Sequence, residues 1–193
     1  LTGCYPNRIG ITGALFPNSK KGINPEETTM AELLKQKVYA TSIIGKWHLG
    51  DAREFLPLQH GFDEYFGIPY SNDMNSVVYM QGNEVVDFQV DQHLITRTYT
   101  EKACDFIERH AGSPFFLYLA HSMPHVPIYA SPGFDGRSGN GLYADVIEEI
   151  DWSVGEVLDK LQEHGILDKT LVVFSSDNGP WLVMQEMGGS AGM

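Results

Sequence analysis

The chain has 193 residues, 42% hydrophobic and 20% charged, which suits one globular domain with a sizeable core. Thirteen Lys and Arg against 25 Asp and Glu give a net charge of −12, a surface that repels nucleic acid, anionic membranes and anionic substrates alike. No apolar run approaches the ~20 residues of a membrane span. No signal-peptide pattern opens the chain, and Cys4 and Cys104 are too few for a disulfide framework.

Thr29 followed by Glu32 is a capping box that predicts a helix start, with Met30, Leu33 and Leu34 as its apolar stripe. A strand is predicted over Val38–Ile44, followed by the loop Gly45-Lys46-Trp47-His48-Leu49-Gly50. Residues 51–76, rich in Gly, Pro and aromatics, read as irregular. Val77–Met80 and Val85-Val86 around Gly82-Asn83 read as a β-hairpin. Thr98 to His110 is helical in pattern, with Tyr99, Ala103, Phe106 and Ile107 on one face. Phe115–Ala120 is a continuous apolar run, typical of a strand buried on both faces. A long helix is expected from about Leu142 to His164, with Val146, Ile147, Ile150, Val154, Val157, Leu158 and Leu161 at 3–4 spacing and Gly165 as C-cap. Thr170–Ser175 is expected as a third core strand. Alternating helix, buried strand and loop predict an α/β layered fold with parallel strands.

Each expected core strand ends in a polar cluster: Lys46 with His48, His121 with His125, and Asp177 with Asn178. Parallel strands bring such ends to one edge of the sheet, where ligands collect. Lys46 supplies a compact charge and His48 a titratable donor. In His121-Ser122-Met123-Pro124-His125-Val126-Pro127, the two prolines restrain the backbone around His125. A fixed imidazole can stabilise an oxyanion or protonate a leaving oxygen. Ser71, within Gly67–Asp73, offers a hydroxyl, although that stretch also reads as a plain turn. Asp177 and Asn178 are hard oxygen donors suited to Ca²⁺ or Mg²⁺, but two ligands do not fill a shell of roughly 6–8. An Asn-Gly turn capped by Asp is the other reading of that pair.

The motifs taken together resemble the sulfatase family. Leu1-Thr2-Gly3, Tyr5-Pro6-x-Arg8-x-Gly10, Glu27–Leu34, Gly45–Gly50, Gly61-Phe62-Asp63, Gly67–Asp73, Pro114–Leu117, Pro124-His125-x-Pro127 and Ser176-Asp177-Asn178-Gly179 occur in the family's order. The resemblance implies an alkaline-phosphatase-like fold, with a central, mostly parallel sheet between helices. It also implies a formylglycine- and Ca²⁺-dependent hydrolysis of a sulfated small molecule or glycan. By the same implication Lys46 binds sulfate, and His48 hydrogen-bonds the formylglycine and helps break down the covalent sulfate intermediate. Ser71 touches the sulfate region, and His125 binds sulfate and assists the leaving group. Asp177 and Asn178 hold Ca²⁺, with Asp177 also placed to activate the nucleophile.

Sulfatases make their formylglycine from a Cys or Ser in a C/S-x-P-S-R-x-x-x-L-T-G segment. Cys4-Tyr5-Pro6-Asn7-Arg8 only looks like it. Asn7 stands where Ser is usual, and Thr12 follows Arg8 by four residues rather than five. Leu1-Thr2-Gly3 fits as the motif's tail, so the resemblance places the nucleophile eight residues before Leu1 and makes Cys4 an ordinary thiol. The family's paired N-terminal aspartates, and the lysine shortly after Gly188-Gly189-Ser190-Ala191-Gly192, are also missing. The 193 residues are therefore expected to be an incomplete N-terminal catalytic domain, inactive alone. Two rivals are a phosphonate or phosphodiester hydrolase of the same superfamily, and a non-catalytic binding domain on the same fold. The loops 51–76 and 128–141 are expected to help line the pocket. The resemblance also implies an extracytoplasmic location, periplasmic, secreted or lysosomal.

Overall fold

A computed structural model describes residues 1–74 and 77–189. Asn75, Ser76 and the end of the chain, where the family lysine was sought after Ser190-Ala191-Gly192, lie outside the described residues. The fold divides into two compact units.

The first unit comprises Leu1–Val90 and Gly112–His121. Helix α1, Met30–Lys35, begins with the expected capping box. The Thr29 N–H donates to Glu32 Oε2 at 2.6 Å, and the Glu32 N–H to Thr29 Oγ1 at 3.1 Å. The stripe is not the one expected. Ala31 is fully buried, whereas Met30 and Leu33 are half exposed. A helix of under two turns buries one residue tightly, and the capping geometry chose Ala31. Strand β1 is Ala40–Gly45, two residues later than predicted. Val38 is taken up in the turn from α1, in the left-handed region at φ 64° and 85% exposed.

Strands β2 (Glu64–Gly67), β3 (Tyr79–Gln81), β4 (Glu84–Asp87) and β5 (Phe115–Ala120) complete a sheet in the order β4-β3-β2-β1-β5. β2, β1 and β5 run parallel, with Ser42 opposite both Glu64 and Leu117. The predicted hairpin adds β3 and β4 antiparallel. The α/β class and the parallel core are as expected. β2 lies inside the stretch read as irregular, because four residues between aromatic-rich turns leave too short a pattern to see. β5 has the predicted bounds but is only partly buried, with Tyr118 41% exposed. Its place at the end of the sheet explains why it is not buried on both faces.

The core of this unit gathers Ile23, Ala31, Ile43, Trp47, Leu56, Phe62, Tyr65 and Met80. Each large side chain so buried contributes about 1.5–3 kcal/mol. Trp47 belongs to this core: its ring meets Phe62 edge-on, and its indole N–H donates to the Phe55 carbonyl at 2.8 Å. The loop after β1 is thereby anchored by a hydrophobic side chain placed between two polar ones.

The second unit comprises Asp91–Ala111 and the chain from Ser122 onward. Helix α2, Ile95–His110, buries Tyr99, Ala103, Phe106 and Ile107 as predicted, and Ile95 in addition. Helix α3, Leu142–Glu163, buries Val146, Ile150 and Leu161, but Ile147 is 41% exposed. Asp145, Glu149 and Ser153 share the buried set. Glu149 accepts the Ser131 N–H at 2.8 Å, and Asp145 accepts the N–H groups of Gly136 and Ser138 at 2.9 and 2.8 Å. Ser153 Oγ accepts from Thr100 Oγ1 at 2.6 Å, which joins α3 to α2. These carboxylates hold the 128–141 loop by its backbone, a role that the hydrophobic periodicity could not reveal.

The third core strand expected at Thr170–Ser175 is not formed. Leu171, Val173 and Phe174 are 89%, 76% and 74% exposed, and no strand among the described residues pairs with the segment. An apolar, β-branched run becomes a strand only where another strand offers its backbone.

Candidate active site

The first unit builds a candidate anion-binding edge from three parallel strand ends. β1 ends at Gly45, at φ 128°, packed so closely against β5 that a Cβ there would collide with the Ala120 carbonyl. A Cβ on Gly67, the last residue of β2, would in turn collide with the Gly45 carbonyl. With both side chains absent, the three ends close up and the chain laces them together. The Lys46 N–H donates to the Ala120 carbonyl at 2.8 Å, the Trp47 N–H to Ile68 at 3.1 Å and the His48 N–H to Pro69 at 3.0 Å.

This lacing places the side chains. Trp47 enters the core, so Lys46 and His48 on either side of it are partly exposed. Lys46 Nζ donates to Ser71 Oγ at 3.3 Å. Ser71 and its neighbour Asn72 are almost fully buried. His48 sits in the left-handed region at φ 59°, an unusual backbone for a non-glycine residue. Its Nε2 lies 3.0 Å from the Leu15 carbonyl. A carbonyl only accepts, so Nε2 carries the hydrogen and Nδ1 is the basic nitrogen of the neutral ring. The Tyr70 ring packs edge-on against it, with centroids 5.5 Å apart. Beyond β5, burial pushes the His121 imidazole down to about 4, so His121 stays neutral at ordinary pH.

Lys46, His48 and Ser71 therefore meet at one edge, and β2 supplies the third strand end that Thr170–Ser175 was expected to supply. Sequence reasoning missed the Leu15 carbonyl, Tyr70 and Asp51. Tyr70 adjoins Ser71 and Asp51 follows Gly50, so proximity to the motifs was the one available signal. A main-chain carbonyl leaves none.

The remaining site residues lie in the second unit. His125 is half-buried between the peptide bonds Met123–Pro124 and Val126–Pro127, both cis. Its Nδ1 donates to the Val126 carbonyl at 2.7 Å, and its ring centroid lies 5.9 Å from that of Trp181. Nδ1 thus carries the hydrogen, the opposite tautomer to His48. Asp177 and Asn178 are exposed on the irregular segment after residue 170, where Ser176 Oγ donates to the Asn178 carbonyl at 2.7 Å. Their oxygens suit a hard cation in kind. Among the described residues no group of three or more His, Cys, Asp or Glu is gathered to hold one, and two oxygen ligands alone do not fill a Ca²⁺ shell of roughly 6–8.

Comparison with known proteins identifies the family. The family model described as Sulfatase matches residues 1–189. Human N-acetylgalactosamine-6-sulfatase is 43% identical over 218 residues, covering 100% of this chain and 42% of the relative. Bovine arylsulfatase A is 35% identical, covering 100% of this chain and 44% of the relative. The chain thus spans about two fifths of the length of these curated relatives. Among solved structures, a Bacteroides thetaiotaomicron protein described with the metabolism of multiple glycosaminoglycans superposes with a TM-score of 0.88 at 29% identity, over 93% of this chain and 51% of that one. The PsFucS1 sulfatase from Pseudoalteromonas sp. gives a TM-score of 0.84 at 26% identity, over 93% and 44%. With the family model covering nearly every residue and the same fold in solved sulfatases, this chain belongs to the sulfatase family.

Proposed function

We propose that the protein containing this chain hydrolyses sulfate esters, with a sulfated small molecule or glycan as substrate. The observation that carries this reading is the Lys46 ammonium held against the buried Ser71 hydroxyl, at the carboxyl ends of the parallel strands β1 and β2. A chain of net charge −12 repels anions in general, so a dianionic or monoanionic ester needs such a local cation. Family membership and the sulfatase names of the relatives support the same reaction.

Lys46 binds a sulfate oxygen and offsets the charge that develops on it, and the Ser71 hydroxyl orients that sulfate. His48 presents its basic Nδ1 to a nucleophile's hydroxyl and holds that proton. His125, with the hydrogen on Nδ1, binds the sulfate through Nε2 when protonated, and passes the Nε2 proton to the departing alcohol oxygen. A formylglycine upstream of Leu1 would supply the hydroxyl that takes up the sulfuryl group. Ca²⁺, held by side-chain oxygens of Asp177 and Asn178 with further ligands, would neutralise negative charge at the sulfate. The relatives' enzyme class favours an extracytoplasmic enzyme.

The test is turnover of matched nitrophenyl sulfate and nitrophenyl phosphate esters by the full-length protein. A kcat/KM ratio favouring sulfate supports the reading. A ratio favouring phosphate or phosphonate esters moves the protein to the neighbouring hydrolases, and no turnover of either makes it a binding domain.

A further inference from the structure

His48 is held from two sides, and both sides lead to Asp51. On one side, the ring's Nε2 donates to the Leu15 carbonyl at 3.0 Å. Leu15 is anchored by its own side chain, 8% exposed, but the chain beyond it is less held: Phe16 is 64% exposed and Asn18 sits at φ 64°. That stretch is tied to Asp51 by the Asn18 N–H, which donates to Asp51 Oδ2 at 2.8 Å. On the other side, the Tyr70 ring stands nearly perpendicular to that of His48, and the Tyr70 hydroxyl donates to Asp51 Oδ1 at 3.2 Å. Tyr70 is 4% exposed, so its hydroxyl relies on partners inside the fold, and Asp51 supplies them. Burial, followed by the Asp51 charge and hydrogen bond, pushes the Tyr70 phenol up to about 12. It therefore stays a donor at every working pH.

We propose that Asp51 is a positioning residue for the catalytic edge, its two carboxylate oxygens clamping the Leu15 loop and Tyr70 against the two sides of His48 and so fixing the ring's Nε2–H tautomer. The reason lies in the strained backbone. A histidine at φ 59° sits in a sparsely populated, strained region, and surrounding structure must over-determine it to persist. A carboxylate accepts from both donors at once, whereas an amide has one accepting oxygen, so with Asn at 51 the Tyr70 hydroxyl has to reverse and accept from the amide N–H. Asp51→Asn therefore keeps the shape, removes the charge from both bonds and weakens one wall.

The experiment uses the full-length protein labelled with ¹⁵N at histidine. Two-bond proton–nitrogen correlation spectra separate the Nε2–H and Nδ1–H forms of His48. In Asp51→Asn the single Nε2–H pattern should become a mixture of tautomers. In the same variant kcat should fall about tenfold to a hundredfold with KM little changed, the cost typical of a misplaced catalytic group. Tyr70→Phe should give a smaller change of the same kind, and the double variant should be little worse than Asp51→Asn alone, because both act through one clamp. An unchanged His48 pattern in folded Asp51→Asn overturns the proposal. Should that variant not fold, an unchanged pattern in Tyr70→Phe does so. The kcat readout rests on the sulfatase reading but the spectra do not. A wild-type protein that turns over no sulfate ester, with a ring still scrambled by Asp51→Asn, sinks the proposed function and leaves the clamp standing.

Discussion

The loop at 45–50 and the segment at 170–180 both carry a family motif, and both follow an apolar, β-branched run. They end differently. Gly45–Gly50 is laced by main-chain hydrogen bonds to two neighbouring strand ends and anchored by a 5%-exposed Trp47. Asp177 and Asn178 follow a run that pairs with no described strand, and every residue from Leu171 to Pro180 is exposed. Sequence motif and hydrophobic pattern are alike in the two places. Backbone partners make the first a preorganised site and leave the second a short turn of oxygen donors.

The sharpest way to break this comparison is at the glycines. Gly45→Ala should drive a methyl into the Ala120 carbonyl at a φ that alanine rarely adopts. We expect a loss of roughly 3 kcal/mol or more, at the severe end for single substitutions, or failure of the first unit to fold. Gly179→Ala meets no atom within 4 Å, and should stay within about 0.5 kcal/mol of wild type. Denaturant titration of both variants measures the pair. Equal effects would erase the distinction between the two regions.

Aromatic truncation sharpens the same contrast. Phe62, 1% exposed and packed on Trp47 and Phe116, should cost about 3–5 kcal/mol as Phe62→Ala. Phe174→Ala, at a 74%-exposed position, should cost close to nothing by the same measurement.

Activity of the full-length protein separates the roles within the site. Lys46→Ala should lower kcat/KM by roughly 10²–10³, the range for losing one oxyanion donor, and nearly equally for nitrophenyl and sugar sulfates. His125→Ala should cost more on the sugar or alkyl sulfate, because a more basic leaving oxygen needs the proton more. Equal penalties across leaving groups would keep His125 as a sulfate ligand and remove its acid role.

The smallest expected effect is a pH dependence contributed by two histidines of the first unit. His60 is fully buried, and burial lowers its imidazole below the ordinary value, against a hydrogen bond to the Glu54 carbonyl and the charge of Glu32 that both raise it. Burial pushes His121 down to about 4 as well. The unfolded chain binds these protons near the ordinary value of about 6.5, before the folded chain does. Stability is therefore full above that value and is lost as pH falls towards the folded values. Thermal melts from pH 7 to 4 should show it, and His60→Gln should flatten the slope. An unaltered slope in that variant would exclude His60 as its source.

Much of this was legible in the residues. The capping box at Thr29, the bounds of β5 and α3, the hairpin at Gly82-Asn83 and the Lys46–His48 loop all announce themselves through local chemistry: side-chain caps, turn residues and long apolar periodicity. Where reading failed, the deciding partner lay elsewhere in the chain. β2 is four residues long and exists because β1 and β3 flank it. Asp145 and Glu149 interrupt the apolar face of α3 because loop N–H groups at 131, 136 and 138 meet them. Thr170–Ser175 has the composition of a strand and no described neighbour.

The sequence alone determined the family, the α/β class, and which residue types could bind an anion or offer oxygens to a cation. These follow from motif order, periodicity and side-chain chemistry, all properties of residues close together in the chain. Only the tertiary structure decided that Ser71 stands 3.3 Å from Lys46, which nitrogen of His48 carries the hydrogen, and that Asp51 reaches both Asn18 and Tyr70. Those outcomes depend on which main-chain carbonyl or carboxylate arrives from 19 to 33 residues away. Hydrogen-bond geometry resolves that to tenths of an ångström, and a pattern of residue types carries no such distances.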